Sequence, residues 1–415
     1  MTQSENNSEN AAENKAKSGG MFGSIRSILV IVMIGFLLYT LGKENPKVQA
    51  IFQRFSLAQQ AADPSAVLRI GGETMGTFYT VQISCPPRAW EAEKLRGVVE
   101  DVLSRVDDAM TTYRDDSYVS RFNASDSTDW FEVSAETAEV VALAQEISGQ
   151  LDGAFDITVA PLVNAWRFGP DKTALTALPG DDQIEAIRQK CGYQKLEVRA
   201  EPSPALKKAI PELMIDLSGI AKGYAVDKVA EALAADGLEN CMVNVGGEIR
   251  CSGAKGDIPW TLAIEKPIPT KTGDPKIYRL FRPGAIALAT SGSSRNYSVV
   301  AQKMFSHIID PRTGRPTELR DADTPRPDFE LGSVSVFDAS CARADALATG
   351  LFVLGPEEGK AAADRLEEPV LFVSRSTLAA DTFADEPSAA FSSIQEFFPG
   401  APQGDTPAPD DKQTP

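Results

Sequence analysis

The chain has 415 residues, 43% of them hydrophobic, with 41 Lys and Arg against 58 Asp and Glu and a formal net charge of −17. That length allows one large domain or two ordinary ones, and an acidic balance with no basic run argues against nucleic acid as the main partner. The five cysteines (Cys85, Cys191, Cys241, Cys251 and Cys341) form no CxxC or Cys/His cluster, which argues against zinc and leaves them as small core residues.

Residues 1–20 are polar and read as a disordered tail. From Ile25 to Leu41 no charge follows Arg26, and as a helix this run would span about 25 Å, enough to cross a bilayer core. Residues 21–42 are therefore expected to be an uncleaved signal anchor. A signal peptide cleaved after Val48-Gln49-Ala50 is the alternative. Lys15, Lys17 and Arg26 precede the run, while Lys43, Lys47 and Arg54 follow it, so the charge rule favours an inside N-terminus by a small margin. Residues 43–66 read as a linker, 67–397 as one catalytic domain, and 398–415 as a Pro/Asp/Gln tail that cannot form a core.

Within 67–397, Val67–Ile70 and Phe78–Ile83 read as strands around the turn Gly71–Thr77. Helical spacing marks Ala89–Met110, Ala135–Leu151, a helix reaching Trp166, and Asp182–Cys191. Ala200–Pro211 reads as an insertion before a strand, Leu213–Leu217, and a helix then runs from Ser218 to Ala235, stopped by Asp236-Gly237. Met242–Val245 and Glu248–Cys251 form a hairpin; a two-residue turn at Gly246-Gly247 pairs Cys251 with Met242 and puts Cys241 and Cys251 on opposite faces. Trp260–Glu265, Ile286–Ser291 and Val334–Phe337 read as strands. Thr317–Leu331 reads as a charged loop, and Ser340–Leu354 as a helix ending at Gly355-Pro356. Strands and helices mix without strict alternation, which predicts an α+β fold with mixed or antiparallel sheets rather than a doubly wound one.

Three stretches carry chemistry. His307, the one histidine of the chain, lies between Ser306 and Ile308-Ile309 with an Asp-Pro turn following, so it should sit at a strand end and loop mouth. It is either a proton acceptor or an imidazole satisfied by a backbone carbonyl. Asp345 and Thr349 stand one helical turn apart on an otherwise small, apolar helix. A buried aspartate there needs a partner: a hard cation such as Mg²⁺, an arginine, or the end of a neighbouring helix. Asp216–Gly223 reads as strand, turn and helix, with free N–H groups and Lys222 suited to phosphate oxygens. It is not a Walker loop, and there is no GxGxxG.

Taken in order, Glu73-Thr74-Met75-Gly76-Thr77, Met110-Thr111-Thr112-Tyr113, Gly153-Ala154-Phe155-Asp156, Asp216–Asp227, Asn244-Val245-Gly246-Gly247, Ser291-Gly292, Ser306–Pro316 and Ala344–Thr349 resemble the ApbE-type family of FAD:protein FMN transferases over roughly residues 68–397. The resemblance implies Mg²⁺-dependent transfer of FMN from FAD to a Thr or Ser hydroxyl of an acceptor flavoprotein, with release of AMP. It implies FAD contacts from Met75, Tyr113, Ala154, Phe155, Asp156, Asp216, Lys222 and Ile309, Mg²⁺ ligation by the Gly219 carbonyl, Asp345 and Thr349, and His307 as base. Lys222 would hold phosphate or orient Asp216, and Tyr113 would pack on the flavin. Some members carry an Asp directly before the metal-binding Thr, where this chain has Ala348; loops 200–211 and 317–331 also look longer than usual, and no lipidation cysteine follows the apolar run.

The expected acceptors carry Asp-x-x-(Ser/Thr)-Gly-Ala-(Ser/Thr) or a close variant, among membrane redox-complex subunits. The chain has no such motif itself, Ser252-Gly253-Ala254 being followed by Lys255. The expected location is the inner membrane, single-pass, with the catalytic domain on the periplasmic side. An FAD hydrolase giving FMN and AMP, or a membrane-tethered flavin-binding protein without turnover, are the competing expectations.

Overall fold

The computed structural model describes residues 66–170, 173, 175, 177–268, 276–292, 297–300, 303–317 and 327–397. The chain divides into two compact units, Met1–Ala62 and Asp63–Pro415, and every described residue belongs to the second. The expected anchor, both expected tails, most of the expected linker and the middle of the 317–331 loop lie outside the described residues. Among the described residues no helix is long and apolar enough to cross a membrane.

Eight strands form the central sheet: β1 (Val67–Thr74), β2 (Thr77–Ser84), β3 (Cys241–Val245), β4 (Glu248–Ser252), β5 (Ala287–Gly292), β6 (Phe329–Asp338), β7 (Val370–Ser376) and β8 (Phe383–Pro387). They lie side by side in chain order and pair antiparallel throughout. Among the described residues seven helices accompany them: α1 (Ala92–Met110), α2 (Tyr118–Ala124), α3 (Ala135–Gln150), α4 (Ala160–Ala165), α5 (Asp181–Arg188), α6 (Ala221–Ala235) and α7 (Cys341–Leu366). The expected α+β architecture is what forms, with a large antiparallel sheet.

Period-two burial explains how the sheet carries two cores. Val334, Val336, Val370 and Phe372 join the large core shared with α1, α3, α6 and α7. Their neighbours Phe337, Leu371 and Val373 pack instead with Trp260, Leu262, Ile264 and Phe281. Cys241 belongs to the first core and Cys251 to the second, and Met242 pairs with Cys251, as the two-residue turn requires. Gly246 and Gly247 both have positive φ there, 67° and 116°. The five cysteines form no disulfide among the described residues; Cys85 is only half-buried.

Five expectations need correcting. The turn expected over Gly71–Thr77 shrinks to Met75-Gly76, because Gly71–Thr74 pair with Thr77–Thr80 as strand. Leu213–Leu217 alternates in burial like a strand, yet it joins no sheet. The Asn123 side chain takes its place as partner, accepting from Ile215 N–H and donating to Ile215 C=O, both at 2.8 Å, while Asp216 N–H donates to Ile157 C=O. The supposed insertion 200–211 contains a strand, Ala205–Lys208, paired on both sides with Leu196–Arg199 and Phe131–Glu132. Lys208, 1% exposed, ends that strand with its ammonium on the Phe122, Ser125 and Pro211 carbonyls. The loop expected to reach Leu331 gives way to β6 at Phe329. Finally, Gly355 (φ 77°, ψ −179°) does end the first part of α7, but Pro356 then starts a second helical segment that continues to Leu366.

Candidate active site

The site grows out of the place where α6 and α7 begin. Gly223 in the first turn of α6 lies against the start of α7 so closely that a Cβ on it would fall 2.2 Å from the Cys341 carbonyl oxygen. Each helix caps the other. Asp345, 2% exposed on α7, accepts the Gly223 N–H at 3.0 Å. Asp227, 5% exposed on α6, accepts the Cys341 and Ala342 N–H groups at 3.0 Å, the Ser340 hydroxyl at 2.8 Å and Arg250 Nη1 at 2.6 Å. A carboxylate at a helix N-terminus answers both unsatisfied N–H groups and the positive end of the helix dipole. The neighbouring-helix partner foreseen for Asp345 is therefore real.

Lys222 stands beside this junction. Its Nζ lies 3.4 Å from both oxygens of Asp345 and 3.2 Å from Oε1 of Glu248, the first residue of β4. Burial pulls the ammonium towards neutrality, but the two carboxylates outweigh it and hold Lys222 above its ordinary pKa. Glu248 is pushed up to about 7 by burial first, with Lys222 drawing it down and Asp345 raising it again. The expected link from Lys222 to Asp216 is not what forms: Asp216 Oδ1 accepts the Ser218 N–H at 2.8 Å. The free amides expected at the start of α6 are also partly used, Ala221 N–H by the Leu217 carbonyl and Gly223 N–H by Asp345.

One turn along α7 from Asp345, the Thr349 hydroxyl shares a 3.0 Å hydrogen bond with Ser291 at the end of β5. Gly219 also stands next to this hydroxyl. A Cβ there would stand 3.4 Å from Thr349 Oγ1 and 3.3 Å from the Phe155 ring. Gly219, Thr349, Phe155, Asp345 and Lys222 are thus brought to one place. Ala154 and Phe155 are buried, and Asp156 fixes their segment by accepting Thr158 N–H and hydroxyl at 2.7 Å and Tyr193 N–H at 2.8 Å. Burial raises Asp156 above its ordinary value, with those three donors drawing it back down. Met75 takes a positive φ of 48° in the two-residue turn between β1 and β2, a sparsely populated conformation of the sort found at ligand clamps. Tyr113 is 63% exposed.

His307 stands on different ground. It is half-buried at the bend between the strands Lys303–Ser306 and Ile309–Asp310, the strand-end position expected for it. Its ring meets Phe168 edge to face at 6.3 Å. Phe305 and Ile309 beside it belong to a satellite core with Leu162, Trp166, Ile184 and Cys191, and Trp166 Nε1–H donates to the Gly314 carbonyl at 2.9 Å. Ile308 packs into the main core instead, so the loop bridges the two.

No group of three or more His, Cys, Asp or Glu suited to a metal occurs among the described residues. The oxygen set of Asp345, Thr349 and the Gly219 backbone still fits a hard cation, which takes few protein ligands.

The ApbE family model matches residues 75–372. The chain belongs to the ApbE family. It is 41% identical over 329 residues to the FAD:protein FMN transferase of Vibrio cholerae, covering 79% of this chain and 92% of that one. Against the Escherichia coli K12 protein of the same name, identity is 38% over 70% of this chain and 79% of the relative. The solved flavin transferase ApbE from Vibrio cholerae superposes with a TM-score of 0.67 at 39% identity, over 79% of this chain and 99% of that one. The apo flavinyl transferase ApbE of Pseudomonas stutzeri superposes at 0.66 with 34% identity, over 80% and 98%. As an ApbE protein the chain holds two buried carboxylates to which the motifs assign no role, Glu248 and Asp227, the latter closing the Asp216–Asp227 stretch. Glu248 carried a signal: it pairs with buried Val245 across the hairpin, so the alternation that buries Val245 also buries Glu248.

Proposed function

We propose that this ApbE-family protein transfers the FMN moiety of FAD to a Thr or Ser hydroxyl of an acceptor flavoprotein and releases AMP. The observation that carries this reading is the meeting of Lys222, Asp345, Thr349, Gly219 and Phe155 at the α6–α7 junction, in a chain whose relatives bear that activity in their names.

The new bond joins the acceptor Oγ to the phosphorus of the FMN phosphate. The bond broken is the one from that phosphorus to the bridging oxygen, which leaves with AMP. Negative charge grows on the leaving phosphate, and Lys222, oriented by Asp345 and Glu248, would hold a phosphate oxygen through a hydrogen bond from its ammonium. Asp345, Thr349 and the Gly219 carbonyl would hold Mg²⁺, which when bound supplies charge neutralisation at the phosphate oxygens. His307 takes the hydroxyl proton, a contribution of about 10²–10⁴-fold for a base in reach. Met75, Tyr113, Ala154, Phe155, Asp156, Asp216 and Ile309 contribute to the FAD contacts. The apolar run 25–41 tethers the enzyme to the inner membrane with the catalytic domain on the periplasmic side, near redox-complex subunits that carry the acceptor motif.

The test is to incubate the full chain with FAD, Mg²⁺ and a protein bearing Asp-x-x-(Ser/Thr)-Gly-Ala-(Ser/Thr), then read the acceptor by intact mass and AMP by chromatography. The expected result is an acceptor heavier by one FMN, with AMP in equal amount. FMN and AMP accumulating while the acceptor stays unmodified would replace the transferase by a hydrolase.

A further inference from the structure

Glu248 is 5% exposed, and only one of its oxygens is accounted for. Oε1 lies on Lys222, whereas Oε2 is buried with no hydrogen-bond partner among the described residues. A carboxylate oxygen left this way is costly, and it points to a partner that the chain itself does not supply.

The charges around it show what Glu248 does for the site. Lys222 with Asp345 alone is a neutral pair, and the ammonium beside Asp345 would repel a divalent cation. Glu248 adds a second carboxylate to the same ammonium, so the trio carries one net negative charge when all three groups are ionised. The β3–β4 turn fixes it there, since Val245 pairs with Glu248 directly across Gly246-Gly247.

We propose that Glu248 makes this site receptive to a divalent cation, by neutralising Lys222 so that Asp345 can face the metal. It is a positioning residue acting through Lys222, and the inference rests on the Mg²⁺ reading given above. In a buried site one unit of charge is decisive, because little solvent is left to screen it.

The probe is Mn²⁺ alone, with binding to the full chain followed by loss of the free-ion electron paramagnetic resonance signal at about pH 8, where the carboxylates are ionised. Glu248→Gln is expected to weaken binding about 10–100-fold, the range found when groups supporting metal ligands are removed. The double variant Lys222→Met with Glu248→Gln again carries one net negative charge and is expected to recover most of the lost affinity. Should the glutamine variant fail to fold, Lys222→Met against the double variant carries the same test, with the single variant binding tighter. Wild-type affinity in Glu248→Gln overturns the inference, and so does a double variant no better than the single one, the mark of a merely structural residue. A wild type that takes up no Mn²⁺ alone, yet needs Mg²⁺ for transfer, overturns the inference and leaves the Mg²⁺ reading standing. Transfer that persists in chelator overturns both.

Discussion

The α6–α7 junction and the 306–314 loop both hold residues proposed for one reaction, and they are built in opposite ways. At the junction Asp227 and Asp345 cross-cap two helices that touch at Gly223, and both carboxylates are buried in the main core. The loop holds His307 half-buried on a smaller core, through Phe168, Phe305 and the Trp166 indole. Fixed charges stabilise a transition state best when they need not reorganise. A base must instead reach an incoming hydroxyl and remain accessible.

Changes at the junction should strike hardest. Gly223→Ala sets a Cβ against the Cys341 backbone, which no rotamer change can relieve, and it should separate α6 from α7. Asp227→Ala leaves two N–H groups, a hydroxyl and Arg250 without their acceptor, and should lower stability by about 3–5 kcal/mol, read from urea unfolding. A loss below about 1 kcal/mol would show that the cross-cap is replaceable by water.

A smaller effect is expected in the loop. Trp166→Phe removes the donor to Gly314 C=O and should cost about 1–2 kcal/mol. FMN transfer should fall while FAD affinity, measured by flavin fluorescence, holds. Equal losses in both would mean that the two regions are not separable.

A further effect is one of pH. In the unfolded chain Glu248 releases its proton near the ordinary value of 4.5, whereas in the folded protein burial keeps it to about 7. The folded state therefore binds more protons in that window, so this residue's contribution to stability falls as pH rises from 4.5 to about 7. Glu248→Gln should flatten that segment of the curve of unfolding midpoint against pH in metal-free protein. An unchanged slope would place the titration elsewhere.

Much of this was legible in the sequence, for physical reasons that differ from residue to residue. The hairpin register at Cys251 followed from turn geometry alone, and the strand-end place of His307 from the Asp-Pro turn beside it. The Asp345–Thr349 face followed from helical spacing, but spacing could not say that Asp345 also caps α6, because that contact crosses 122 residues. Leu213–Leu217 has the burial of a strand, and only the fold reveals that an asparagine side chain supplies its backbone partner. Lys208 reads as a surface charge until three carbonyls converge on it. Glu248 is harder to read for a related reason: hairpin alternation buries it opposite Val245, but Lys222, the cation that pairs with it, arrives from another element.

The measurement that tests the division of labour most directly is His307→Ala, assayed for FAD binding and FMN transfer in the same preparation. A base on its own support should be dispensable for binding, which in this reading rests on Met75, Asp156, Lys222 and the metal. The expected result is unchanged FAD affinity and unfolding midpoint, with transfer to the acceptor hydroxyl reduced about 10²–10⁴-fold. Transfer near the wild-type rate would contradict it, as would FAD binding, stability and transfer lost together, which would make His307 a packing residue of the satellite core.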